Sequence, residues 1–149
     1  MIGLLVTGGS LFLLFSELSP KLSASSTVPD PTNAFSARFQ ITNVGRLAIN
    51  DAAIMCRFID VHFGTIHFSG FDFMQESDFW SSIDPGEPVT LPCRYRKEMV
   101  DTPLSSADIQ VAIEFRPSWW PTRVTQRFRF IALKAENGSW LWEAQPLSK

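Results

Sequence analysis

Residues 107–117, ADIQVAIEFRP, and 122–134, TRVTQRFRFIALK, alternate apolar and polar side chains over most of their length. A period of two gathers every second side chain on one face of a strand, whereas a helix would scatter them around its surface. Ile109, Val111, Ile113 and Phe115 define one inward face; Val124, Gln126, Phe128 and Phe130 define the other. A single antiparallel register satisfies both, pairing Phe115 with Val124, Val111 with Phe128 and Ile109 with Phe130. It also sets Gln126 opposite Ile113, a polar group that needs a hydrogen-bond partner if buried. This hairpin commits the chain to antiparallel β structure.

The same alternation recurs upstream. In AFSARFQITN, Phe35, Ala37, Phe39 and Ile41 share a face, and in DAAIMCRFI so do Ile54, Cys56 and Phe58. VHFGTIHF reads as a hairpin with Gly64-Thr65 as its two-residue turn, glycine standing where a type II′ turn requires it. That register pairs His62 with His67 and Val61 with Phe68. Its parity does not continue from Cys56, so a bulge is expected near Ile59 or Asp60. Asp84-Pro85-Gly86 signals a turn before the strand PVTLPCRY. Asn137-Gly138 signals a type I′ turn that would set Leu133 opposite Trp142 and Ala135 opposite Trp140. Seven or more short strands separated by turn signals mean a β-sandwich or barrel, and the weak helical periodicity excludes alternating βαβ units.

The N-terminus differs. Its first fifteen residues, MIGLLVTGGSLFLLF, carry no charged side chain. A helix over residues 2–18 would reach roughly 25 Å, near the lower limit for a bilayer core. A retained membrane anchor over residues 1–19 is the expectation, with a cleaved signal peptide and a buried helix as alternatives. The run lacks a preceding Lys or Arg and a following A-x-A site, and Gly8-Gly9 would weaken an isolated helix. Residues 20–33, rich in Ser and Pro, are read as a linker holding an edge strand at Leu22 to Thr27. Residues 34–149 form the expected domain with its C-terminal hairpin.

The two cysteines bear on compartment. Cys56 shares a face with Ile54 and Phe58, and Cys93 with Val89 and Leu91. In a two-sheet sandwich those faces oppose one another, the arrangement that allows an inter-sheet disulfide; two reduced buried thiols are the alternative. A Cys56–Cys93 disulfide together with an export segment predicts a single-pass membrane protein whose C-terminal domain is periplasmic or otherwise extracytoplasmic.

Two short motifs carry a resemblance. Phe39-Gln40-Ile41-Thr42-Asn43-Val44-Gly45, followed later by Ile83-Asp84-Pro85-Gly86-Glu87 before a strand, resembles the bacterial immunoglobulin-like modules related to cell adhesion. The likeness covers about residues 22–132. It implies an immunoglobulin-like antiparallel β-sandwich of seven strands that binds or spaces without catalysing. It also implies that the loop joining the last two core strands lies at the N-terminal end. The two cysteines, the aromatic segment 63–80 and the additional C-terminal hairpin depart from that pattern.

Few residues offer chemistry. A net charge of −2 argues against nucleic acid as a partner. No G-x-S-x-G elbow and no glycine-rich phosphate loop occurs, so no catalytic residue and no cofactor is expected. His62 and His67, with Asp60 on the same face, can supply two or three ligands to Zn²⁺ or Cu²⁺; a solvated polar hairpin face is the alternative. Arg127 and Arg129, with Arg116 and Arg123 bracketing the turn, form a basic ladder on the outer sheet face. Asp108 and Glu114 lie diagonal to it and balance its charge; a docking surface for anionic lipid headgroups or an acidic partner is the alternative. Asn137-Gly138-Ser139 matches a glycosylation sequon that the turn itself explains. RPSWWPTR is the best candidate for a contact surface: Trp119 and Trp120, flanked by Arg116 and Arg123, cannot both enter a core by strand alternation. They are expected to meet a bilayer or a protein partner, or else to cap the end of the sandwich. The sequence thus predicts a non-catalytic membrane-anchored binding or structural module, an accessory subunit of a membrane complex. A secreted adhesion or carbohydrate-binding module and a metal-binding protein are the alternatives.

Overall fold

The computed structural model describes residues 18–73, 79–93 and 102–146. Among these residues, ten strands form two antiparallel sheets. The smaller sheet orders β1 (Leu22–Thr27), β2 (Arg38–Asn43) and β7 (Pro88–Pro92) as β1-β2-β7. The larger is built around β3 (Ile49–Phe63), with β8 (Leu104–Pro117), β9 (Val124–Lys134) and β10 (Trp140–Gln145) following outward on one side. Along its other side β3 pairs successively with β6 (Phe79–Ile83), β5 (Phe71–Phe73) and β4 (Ile66–Phe68). The fifteen-residue β3 is therefore the spine, one long strand covered by three short ones.

Alternation decides what is buried. Phe39 and Ile41 of the small sheet, with Val89 and Leu91, face Ile54, Phe58, Ile109, Val111, Ile113, Phe115 and Phe130 of the large one, all essentially inaccessible. Stripping water from so many apolar side chains is the main stabilising term of such a layer pair. The disulfide predicted from parity is present: Cys56 on β3 and Cys93 just after β7 join the two sheets, their Cα atoms 5.7 Å apart.

The β8–β9 register is the expected one, including Ile113 opposite Gln126. The β3–β4 hairpin likewise pairs His62 with His67 and Val61 with Phe68. A register shift between Phe58 and Asp60 marks the anticipated bulge. The edge strand expected at Leu22 to Thr27 is β1.

Two expectations need correction. Phe35 does not lie on a strand. Residues Ala34–Ser36 form a short 3-10 turn capped by Asn33, whose side chain accepts the Phe35 N–H at 3.1 Å. Phe35 still reaches the core, against Phe58, Phe63 and Trp142. The Asn137-Gly138 turn is one residue longer than expected. Trp140 pairs with Lys134 and Trp142 with Ala132, because Ala135 N–H bonds Ser139 O and Gly138 N–H bonds Ala135 O. Gly138, at φ 82°, takes the left-handed position of a bulged hairpin loop. The shift exchanges the faces: Trp140 and Trp142 are buried, while Leu133 and Leu141 face solvent.

That C-terminal hairpin is part of the core rather than an appendage. Trp142 donates its indole N–H to Ala34 O at 2.8 Å, and Trp140 N–H bonds Pro31 O at 2.7 Å. Among the described residues no helix is long and apolar enough to cross a membrane. The anchor expected over residues 1–19 lies almost wholly outside them.

Candidate functional site

One end of the sandwich gathers the chain preceding β1, the β2–β3 connection and the β8–β9 loop. The segment leading into β1 is tied down at three places. Leu18 O accepts the Trp119 indole N–H at 2.8 Å, Pro20 O accepts the Gln126 amide at 3.2 Å, and Lys21 O accepts the Val44 N–H at 2.9 Å. Val44 follows the small sheet, whereas Gln126 and Trp119 belong to the large one, so this strap bridges the layers. It also satisfies Gln126, the polar residue that alternation set facing the core.

Trp119 and Trp120 part company at this end. Trp119 is half-buried over the strap, while Trp120 stands edge-on to it, ring centroids 5.4 Å apart, and is 47% exposed. One tryptophan thus closes the sandwich end and the other projects beside residues 18–20. Beneath them lies an open cleft of about 630 Å³ lined by Asn50, Asp51, Ser81, Arg116 and both indoles.

Asp51 was not legible as a site residue. It has φ 49°, in the left-handed region that Asp tolerates better than most residues. It occupies an irregularity of β3 between Asn50 and Ala53. The extra residue turns its carboxylate onto Arg116, with which it forms an ion pair. Ile49 and Ala52 both point inward, which two residues three apart on one strand do only across a bulge. Ser118 adds to the loop's definition, donating to Ala48 O and accepting from the Asn50 amide.

The flanking arginines are engaged. Arg116 holds Asp51, and Arg123 bonds Glu114 at 3.0 Å. On the outer face of the large sheet, Arg129 grips Asp108 with a bidentate contact of 2.6–3.1 Å, and Arg127 lies opposite Ala112 as the register required. Asp108 and Glu114 thus pair with Arg129 and Arg123 within the sheet.

The histidine hairpin sits at the other end of β3. The rings of His62 and His67 stack at 4.4 Å, nearly parallel. Both direct Nε2 at one carboxylate oxygen of Asp60, at 3.0 and 2.6 Å. The hydrogen bond from His67, more than any other influence, holds the Asp60 carboxyl below its usual value. Among the described residues these three are the one cluster with metal-ligating geometry, their donor atoms within 4.8 Å of one another. In the 137–139 sequon, Asn137 accepts both the N–H and the hydroxyl of Ser139 within the β9–β10 loop.

The two motifs that carry the resemblance meet in space. Asn43, fully buried, donates to Leu47 O at 2.9 Å and to Ile83 O at 3.0 Å, and accepts the Gly45 N–H at 3.0 Å. Its carbonyl takes the Gly86 N–H at 2.7 Å. A Cβ on Gly45 would stand 3.1 Å from Asn43 Oδ1 and 3.2 Å from Lys21 N, so a larger residue would crowd the junction. No protein-family model, curated protein or solved structure matches this chain.

Proposed function

We propose that this protein is a non-catalytic, immunoglobulin-like binding module held to a membrane by its N-terminal segment. Its domain faces the periplasm or exterior, as an accessory subunit of a membrane complex, and Trp119 and Trp120 form the docking edge. The observation that carries this reading is the bond from the Trp119 indole to Leu18 O. It fixes the tryptophan loop beside the point where the uncharged run of residues 1–15 leads into the domain. An exposed indole there suits either a membrane–water boundary or an interface anchor. Export fits the inter-sheet disulfide, because such bonds persist in oxidising compartments. The test is Trp120→Ser, alone and with Trp119→Ser, in the full chain extracted in mild detergent. Trp120→Ser is expected to keep the melting temperature and to reduce co-purification of partners or vesicle flotation. Unchanged association in the double variant would refute the docking edge and leave the tryptophans as a cap.

A second reading, a secreted carbohydrate-binding or adhesion module, draws on the cleft beside Trp119 and Trp120, where indoles adjoin Asn50, Asp51 and Arg116. Aromatic surface with a few convergent polar groups is the usual make-up of a small-ligand site. An intact mass beginning near Ala24, with saturable glycan binding, would favour it over the anchored module.

A further inference from the structure

We propose that the β3–β4 hairpin carries a binding site for a late first-row divalent ion, Zn²⁺ or Cu²⁺, formed by His62, His67 and Asp60. The site is independent of the tryptophan loop, lying at the opposite end of β3.

The argument begins with the turn. A two-residue loop at Gly64-Thr65 makes Phe63 and Ile66 the hydrogen-bonded closing pair. His62 and His67 then form the next, non-hydrogen-bonded pair, in which Cα atoms approach to about 4.5 Å and side chains crowd together on one face. The bulge after Phe58 brings Asp60 onto that face, and both imidazoles aim Nε2 at its Oδ1. A solvated His–Asp pair requires one histidine. Here two converge on a single oxygen with their rings stacked, so three donor atoms already surround one small volume.

A tetrahedral Zn²⁺ bonded at 2.0–2.1 Å needs its ligating nitrogens roughly 3.3 Å apart. The existing cluster lies within 4.8 Å, so small side-chain rotations suffice. Metal binding needs each Nε2 lone pair, so the two hydrogen bonds to Asp60 would give way to bonds to the ion. Two imidazole nitrogens and one carboxylate oxygen suit Zn²⁺ or Cu²⁺, whereas Ca²⁺ and Mg²⁺ demand more oxygen ligands. The next carboxylate along the face, Asp108, is the Cα partner of Asp60 but is held by Arg129. Among the described residues, the remaining coordination position is left to water or to a ligand from outside.

The scaffold is rigid enough to hold this geometry. Val61 and Phe63 on the reverse face are buried, Phe68 packs edge-on against Phe63, and Ser105 Oγ accepts the Gly64 N–H at 2.9 Å.

Calorimetric titration of the full chain in mild detergent with Zn²⁺ alone tests the proposal. One equivalent is expected to bind, uncontested by excess Mg²⁺ or Ca²⁺, with the imidazole resonances of His62 and His67 shifting together. His62→Ala and His67→Ala should each weaken binding at least tenfold, since even an outer-shell partner of a metal site contributes about 10–100-fold. Both side chains are substantially solvent-exposed, so the variants should melt as the parent does. No saturable binding, parent-like affinity in either folded variant, unshifted imidazole resonances or equal competition by Ca²⁺ would each overturn the site.

Discussion

At the scale of single residues, Asn43 shows how one polar side chain can organise an apolar interior. Its amide bonds two carbonyls that belong to different connections, Leu47 before β3 and Ile83 at the end of β6. Its oxygen takes a third group, Gly45 N–H. Removing the side chain would leave these groups unpaired where water has no ready access, and each such group costs about 1–3 kcal/mol. Asn43→Ala is therefore expected to destabilise the domain by about 2–4 kcal/mol, read from the midpoint of urea unfolding. Asn43→Asp should be at least as damaging. A carboxylate can still accept from Gly45, but it has no donor for the two carbonyls and would bury a charge. A change below about 0.5 kcal/mol in both variants would mean that the junction is held by its backbone bonds alone.

The elements show what one added residue does to a strand. Because side chains alternate, a single-residue shift carries a whole strand's apolar set to the opposite face. At the β9–β10 loop that shift brings Trp140 and Trp142 inward. It depends on Gly138 at φ 82°, where a Cβ would meet nothing within 4 Å. The only penalty for a side chain there is the left-handed backbone, worth about 1–2 kcal/mol. Gly138→Ala should lower stability by about that amount without altering the pairing of Trp140 with Lys134, checked by interstrand amide contacts in solution. Gly138→Asn should recover part of the loss, since Asn adopts that conformation more readily. Equal stability of all three proteins would show that the loop does not require a left-handed residue.

For the whole molecule, the disulfide and the strap before β1 perform related work, each linking one sheet to the other. Cys56 and Cys93 are 37 positions apart, and closing such a loop removes denatured-state entropy worth about 4 kcal/mol in the chain-entropy picture. Reduction, or the double substitution Cys56→Ser with Cys93→Ser, should lower unfolding stability by about that much. Thiol titration of the denatured, unreduced protein should find no free thiol; two per chain would contradict the bond. The net stability of a domain this size is only about 5–15 kcal/mol, so the reduced form should lie close to its unfolding limit at warm temperatures.

Local alternation by itself determined the β8–β9 register, the pairing of His62 with His67, the bulge before Asp60 and the matching parity of the cysteines. Each depends on side chains that neighbour one another along a strand or across a short turn, and their period of two is written directly in the chain. Alternation also showed that Gln126 would need a partner, but not that Pro20 would supply it. Only the tertiary structure decided that bond, the junction at Asn43, the ion pair of Asp51 with Arg116 and the separate fates of Trp119 and Trp120. Those features join segments from 40 to 106 positions apart, and no periodicity encodes which loop ends lie together when two sheets close. The β9–β10 register stands between these cases. Its turn is local, but Asn-Gly serves loops of more than one length, and burial of two tryptophans against residues 31–34 settled which of them formed.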